Sequence, residues 1–213
     1  MRRLWLLCLL LVLTACSGPK EKPSISLYLA IQRGDLNQIE RHIAWNADLN
    51  APLPDGLPPL HMAAAAGRVA ISRLLIERGA DANGLDTQSK TPLYRALERG
   101  RTQVAEQLLK QGAKLDAAEL LRQLLQAQTL DRDVVAFLQN QGANLNQLHQ
   151  GRSLLGDAIR LNNLQLCKLL IRAGADVNLA ETTGTSPLQL ATASGNADII
   201  RLLQQQGAKQ LAN

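Results

Sequence analysis

A short signature of small residues, Gly-Ala-Asp or a close variant, returns along the chain at a nearly constant interval. It stands as Asn46-Ala47-Asp48, Gly79-Ala80-Asp81, Gly112-Ala113-Lys114, Gly142-Ala143-Asn144, Gly174-Ala175-Asp176 and Gly207-Ala208-Lys209, spaced by 33, 33, 30, 32 and 33 residues. A fixed period of this size means stacked supersecondary units, none of which can bury its apolar face alone. An apolar helical pattern precedes each of the last five, as in Val69-Ala70-Ile71-Ser72-Arg73-Leu74-Leu75-Ile76. The following glycine takes the left-handed conformation that ends a helix at little cost. Upstream, Thr91-Pro92-Leu93 and Ser186-Pro187-Leu188 put a hydroxyl at the N-cap and proline at the first helical position, where no N–H is missed. Each unit therefore reads as helix, tight turn, helix, glycine stop and polar hairpin, and the chain as all-α.

Composition fits such a stack. Of 213 residues 46% are apolar but only 2% aromatic, so the core must be aliphatic, and 19% charged residues do not describe a disordered chain. No run of Lys and Arg exists to track phosphates, which argues against a nucleic-acid partner.

Pro58-Pro59-Leu60-His61-Met62-Ala63-Ala64 and Gly174-Ala175-Asp176-Val177-Asn178 resemble the ankyrin repeat closely. The resemblance covers residues 24–213 as six repeats, approximately 24–50, 51–83, 84–116, 117–146, 147–178 and 179–213, and implies a solenoid of helix-turn-helix units joined by short β-hairpin loops. Repeat one lacks the Thr-Pro start and is expected to cap the stack, with Gln32, Arg33 and Asp35 outside. Only His61 keeps the consensus histidine that ties neighbouring turns; Tyr94, Gly156 and Gln189 replace it. Repeat four is short: eight residues separate Gly112 from Leu121, against eleven between Gly79 and Thr91. A full hairpin does not fit there. Asp116-Ala117-Ala118-Glu119 has capping-box spacing, which predicts a chain passing straight into a longer first helix and a notch between repeats three and five.

The first residues carry an address. Met1 to Cys16 is two arginines, an apolar run from Leu4 to Leu13 and a small-residue end, too short to span a bilayer and shaped as a secretory signal over 1–15. Its Arg2 and Arg3 hold two of the five excess positive charges, leaving +3 on a mature chain. Leu13-Thr14-Ala15-Cys16 resembles the lipobox of bacterial lipoproteins, which implies cleavage before Cys16 and acyl chains on it. Two or three chains, at about 0.8 kcal/mol per buried CH₂, hold a domain firmly on a membrane. Ser17, where an inner-membrane retention signal often has Asp, implies the periplasmic face of an outer membrane. The linker, through Pro23, spans at most about 25 Å.

No catalytic or metal motif is present, and no cofactor or small-molecule substrate is implied. His42, His61 and His149 lie in separate repeats, the first and last read as exposed; Cys167 occupies an apolar helical position and reads as core; Asp48, Asp81 and Asp176 share one repeat position and read as turn residues. The chain reads as a binder, not an enzyme. In ankyrin proteins partners meet hairpin tips and the exposed residues of first helices. By repeat position these are Leu57, Ala65 and Ala66; Thr87, Gln88, Lys90, Glu98 and Arg99; His149, Gln150, Arg152, Arg160 and Leu161; and Thr182, Thr183 and Thr185. With Glu98 its only acid, this strip is net basic and predicts an acidic patch on a protein partner, the chain being monomeric otherwise. Trp45 and Tyr28, nearest the lipid, cap the first repeat's core or touch headgroups or a partner. Gram-negative ankyrin lipoproteins resemble immunity proteins that neutralise membrane-attacking effectors, such as phospholipases of the type VI secretion system. Other periplasmic ankyrin proteins resemble scaffolds or stress adaptors needed by a catalase. Both roles stay open at this point.

Overall fold

Six helix pairs follow one another along the chain. They are α1 (Leu27–Arg33) with α2 (Leu36–Ala44), α3 (Pro59–Ala65) with α4 (Val69–Glu77), α5 (Pro92–Glu98) with α6 (Thr102–Lys110), α7 (Ala117–Gln126) with α8 (Arg132–Asn140), α9 (Leu154–Arg160) with α10 (Leu164–Arg172), and α11 (Pro187–Ser194) with α12 (Ala197–Gln205). The computed structural model describes residues 21–209; the signal segment, Cys16 and the linker as far as Lys20 lie outside the described residues. No described helix is long and apolar enough to cross a membrane.

Local chemistry places the ends. Thr91, Ser153 and Ser186 accept the amide N–H of Tyr94, Gly156 and Gln189, and proline follows the cap in α5 and α11. After each long helix of pairs two to six, a glycine with φ between 82° and 101° ends the turn. The loops expected as β-hairpins are tight turns instead. Asp86 and Glu181 each donate their amide N–H to the carbonyl of Lys90 and Thr185, and only His149 and Arg152 exchange both bonds, an isolated bridge and no strand among the described residues.

Residues up to Asp48 form one unit. Leu27, Ala30, Ile31 and Ile39 make its apolar centre, while Ser24 donates to Gln38 Oε1 at 2.9 Å and the His42 ring to the Ile25 carbonyl at 2.7 Å. His42, expected to be exposed, is half-buried because of that bond. Gln32 and Arg33 are exposed, but Asp35, expected outside, is half-buried because it caps α2. Trp45 is 51% exposed and donates its indole N–H to the Glu21 carbonyl at 3.1 Å, beside an Arg41–Glu21 ion pair.

The second unit runs from Leu49 and holds the other five pairs. Leu75, Leu97, Leu108, Leu121, Leu124, Leu125 and Leu138 are fully buried in its centre, each contributing roughly 1.5–3 kcal/mol. Cys167 on α10 is also fully buried, and burial pushes its thiol up to about 12. Asparagines clasp successive loops. Asn50, Asn83, Asn146 and Asn178 each donate to the glycine carbonyl one repeat on, at Gly79, Gly112, Gly174 and Gly207, and accept the amide two residues beyond it. The equivalent position at the end of repeat three is Asp116, whose carboxylate caps α7 by accepting the Glu119 amide. The chain does pass straight into α7, the longest helix of the described residues at 10 residues. The capping box is only half made: Glu119 turns away from the cap and accepts from Gln123 Nε2 at 2.9 Å. A complete box forms instead at Ser186 and Gln189, the residue that replaces a consensus histidine.

Candidate binding groove

Shortening repeat four opens the expected notch. α7 carries leucines at 120, 121, 124 and 125 toward the core, so its residues 119, 122, 123 and 126 fall on the opposite face. With no hairpin standing over them, Glu119, Arg122, Gln123, Gln126 and Ala127 floor a groove of about 510 Å³. Lys90 and Tyr94 of repeat three form one wall, and His149, Gln150, Arg152 and Asp157 of repeat five the other.

The groove is held by charge. The Asp157 carboxylate, 7% exposed, pairs with Arg122 at 3.2 Å, Arg152 at 2.5 Å and Arg160 at 3.4 Å. Arg160 also grips Glu181 with both Nη atoms, and Glu181 accepts the Ser153 amide at 3.3 Å. Burial pushes the Glu181 carboxyl up, but the Arg160 bond and charge outweigh it and hold it below its ordinary range; that same bond raises Arg160. Room for this carboxylate comes from Gly156, where a Cβ would sit 2.5 Å from Glu181 Oε1 and 2.8 Å from Ser153 Oγ. Arg122 also donates to the Gln147 carbonyl at 3.0 Å; its burial, opposed by Asp157 and reinforced by Arg152, lowers its pKa. Lys90 Nζ donates to Gln123 Oε1 at 3.0 Å and lies 4.3 Å from the Tyr94 ring centroid, joining wall to floor.

A second cluster backs the Lys90 wall. Asp86, fully buried at its side chain, pairs with Arg95 at 2.7 Å and accepts the amides of Gln88 and Lys90. Burial raises the Asp86 carboxyl, and the Arg95 and amide bonds more than offset this, leaving it lowered. His61 donates through Nε2 to the carbonyls of Gly84 and Lys90 at 3.1 and 3.0 Å, so the consensus tie holds this loop; burial lowers its pKa.

The positions carried over from the repeat pattern divide accordingly. Lys90, His149, Gln150 and Arg152 line the groove. Thr87, Gln88 and Arg99 are exposed nearby, and Glu98 is half-buried in a pair with Arg95 at 3.0 Å. Thr182 donates its amide to the Gly151 carbonyl, and Thr183 and Thr185 bond each other at 3.0 Å on the last loop. Leu57, Ala65 and Leu161 are half-buried and Ala66 exposed, all outside the groove lining. The picture of a basic strip with Glu98 as its only acid is corrected: Arg152 and Arg160 are paired by the buried carboxylates Asp157 and Glu181. Repeat counting missed Arg122, Gln126 and Ala127, because a shortened repeat offers no consensus position to carry across. It also missed Leu85, 61% exposed on the repeat-three loop. Among the described residues no three His, Cys, Asp or Glu side chains come together as a metal site.

Packed helix pairs of the second unit, with a polar groove across the first helices and loops of repeats three to five, define a protein–protein interaction module. The family model for ankyrin repeats (three copies) matches residues 27–119 and 124–213, and the chain belongs to the ankyrin-repeat family, whose members are generally non-enzymatic interaction modules. It is 31% identical over 188 residues to an ankyrin repeat and KH domain-containing protein of Caenorhabditis briggsae, covering 88% of this chain and 6% of that one. It is 38% identical over 73 residues to protein phosphatase 1 regulatory subunit 27 of Mus musculus, covering 34% and 47%. The chain thus spans less than half the length of either relative. Among solved structures, the ankyrin repeat domain of Bcl-3 matches with a TM-score of 0.64 at 26% identity, over 89% of both chains. A chain from the complex of a predatory endopeptidase of Bdellovibrio bacteriovorus with an immunity protein matches with a TM-score of 0.61 at 26% identity, over 87% of this chain and 100% of that one.

Proposed function

We propose that this protein is a membrane-tethered immunity protein of a bacterial envelope, which blocks a secreted effector by seating part of it in the groove over α7. The groove carries the reading: a pocket of about 510 Å³ with preset walls, opened by one shortened repeat, suits an inserted loop of a specific partner. Likeness to a chain from an endopeptidase–immunity complex supports the role, the lipobox-like Leu13-Thr14-Ala15-Cys16 supports a lipid on Cys16, and Ser17 supports the periplasmic face of an outer membrane as its destination. The test is genetic. Cells lacking the gene should be poisoned beside effector-delivering siblings and rescued by a plasmid copy. Survival of the deletion strain beside those siblings, joined to peroxide sensitivity, would replace this reading with a scaffold for an oxidative-stress enzyme.

A further inference from the structure

We propose that the groove is built to receive a carboxylate-bearing segment of its protein partner, seated between Lys90 on one wall and Arg122 with Arg152 on the floor and the other. This rests on the protein-binding reading above and deepens it. Asp157 receives Arg152 and Arg160 at Oδ1 and Arg122 at Oδ2, while Glu181 is occupied by Arg160 and the Ser153 amide. Three guanidinium groups therefore share two carboxylates. Lys90 adds a further cation: its partners are the neutral Gln123 amide and the Tyr94 ring, and no carboxylate of the described residues pairs with it. Glu119, the other acid of the lining, accepts from the neutral Gln123 amide and keeps its charge, which acts on Arg122; Lys90, Arg122 and Arg152 still outnumber Glu119 and Asp157 on the lining by three to two. The groove thus offers unused N–H donors around a central acid already taken. Burial of Arg122, opposed by Asp157 and Glu119, makes its charge costly to hold, and an entering carboxylate would offset part of that cost. Charge-assisted bonds from guanidinium and ammonium groups would fix the segment, whereas a basic segment would leave the cations unpaired.

The test uses the full chain and two labelled peptides, one of alternating glutamate and glycine and one with glutamine in place of glutamate, read by fluorescence anisotropy. The acidic peptide should bind and the glutamine peptide should not. Affinity should fall steadily between roughly 50 and 500 mM salt, a readout on the unaltered chain that needs no variant to fold. Combining Lys90→Gln with Arg152→Gln should weaken binding by about tenfold or more. Arg201→Gln, which removes an exposed cation of α12, should leave it unchanged. Equal binding of both peptides, equal loss in the Arg201 variant, or binding only to phosphatidylglycerol vesicles would overturn the proposal. A chain that protects cells while ignoring peptide charge refutes the acidic segment and leaves the immunity reading standing. One that takes the acidic peptide but protects nothing does the reverse.

Discussion

Gly156 occupies a helical position where glycine normally costs about 1 kcal/mol relative to alanine. Here the sign reverses, because an added Cβ would press on Glu181 Oε1 and Ser153 Oγ, both held by bonds to Arg160 and to the start of α9. Gly156→Ala should therefore destabilise the chain by about 1–3 kcal/mol, as overpacking does; unfolding in urea measures it, and an unchanged or raised midpoint would contradict the assignment. His61 makes a second residue-level case. Its folded pKa lies below the ordinary 6.5, so the unfolded chain binds a proton more readily than the folded one. Its contribution is intact above 6.5 and is lost as pH falls through the lowered folded value. The carboxyls of Asp86 and Glu181, also lowered on folding, lose theirs further into acid. The melting temperature should begin to fall as pH drops below about 6.5, and His61→Gln should remove that first loss without touching the steeper acid limb.

At the scale of elements, α7 is where period and sequence part. Asp116 stands where other repeats have the clasping asparagine, and its carboxylate closes the helix start instead. Asp116→Ala should cost about 1 kcal/mol, and Asp116→Asn, which keeps the cap, much less; thermal melts of the two variants distinguish a capping role from a purely electrostatic one. The helices and their stops were legible because glycine stops, Thr-Pro and Ser-Pro starts and the leucine pattern are each local signals. The notch was legible too, since it follows from the number of residues between Gly112 and Leu121. The ion-pair network was not. Glu181 meets Arg160 and Asp157 meets Arg122 across neighbouring repeats, and repeat position alone does not reveal that Asp86, Asp157 and Glu181 turn inward. A strip counted only on its outward positions came out too basic for that reason.

At the scale of the whole molecule, the groove is proposed to select a partner and the lipid on Cys16 to fix where the two meet. Ala127 is exposed on the groove floor and holds up no core, so Ala127→Trp should fill the opening at little cost in stability. Protection of cells should vanish while the melting temperature moves by no more than a degree or two, close to what about 0.5 kcal/mol allows; retained protection would move the contact elsewhere.

One absence in the series of asparagine clasps has a mechanical meaning. Between repeats three and four, among the described residues, Lys90 to Gln123 is the polar bond that crosses, and the remaining grip is leucine against leucine and valine. Oil slides where hydrogen bonds would snap, so within the second unit this seam is the natural hinge under load. That unit, stretched from its ends, should yield there first, opening the very cleft by which it is proposed to hold its partner.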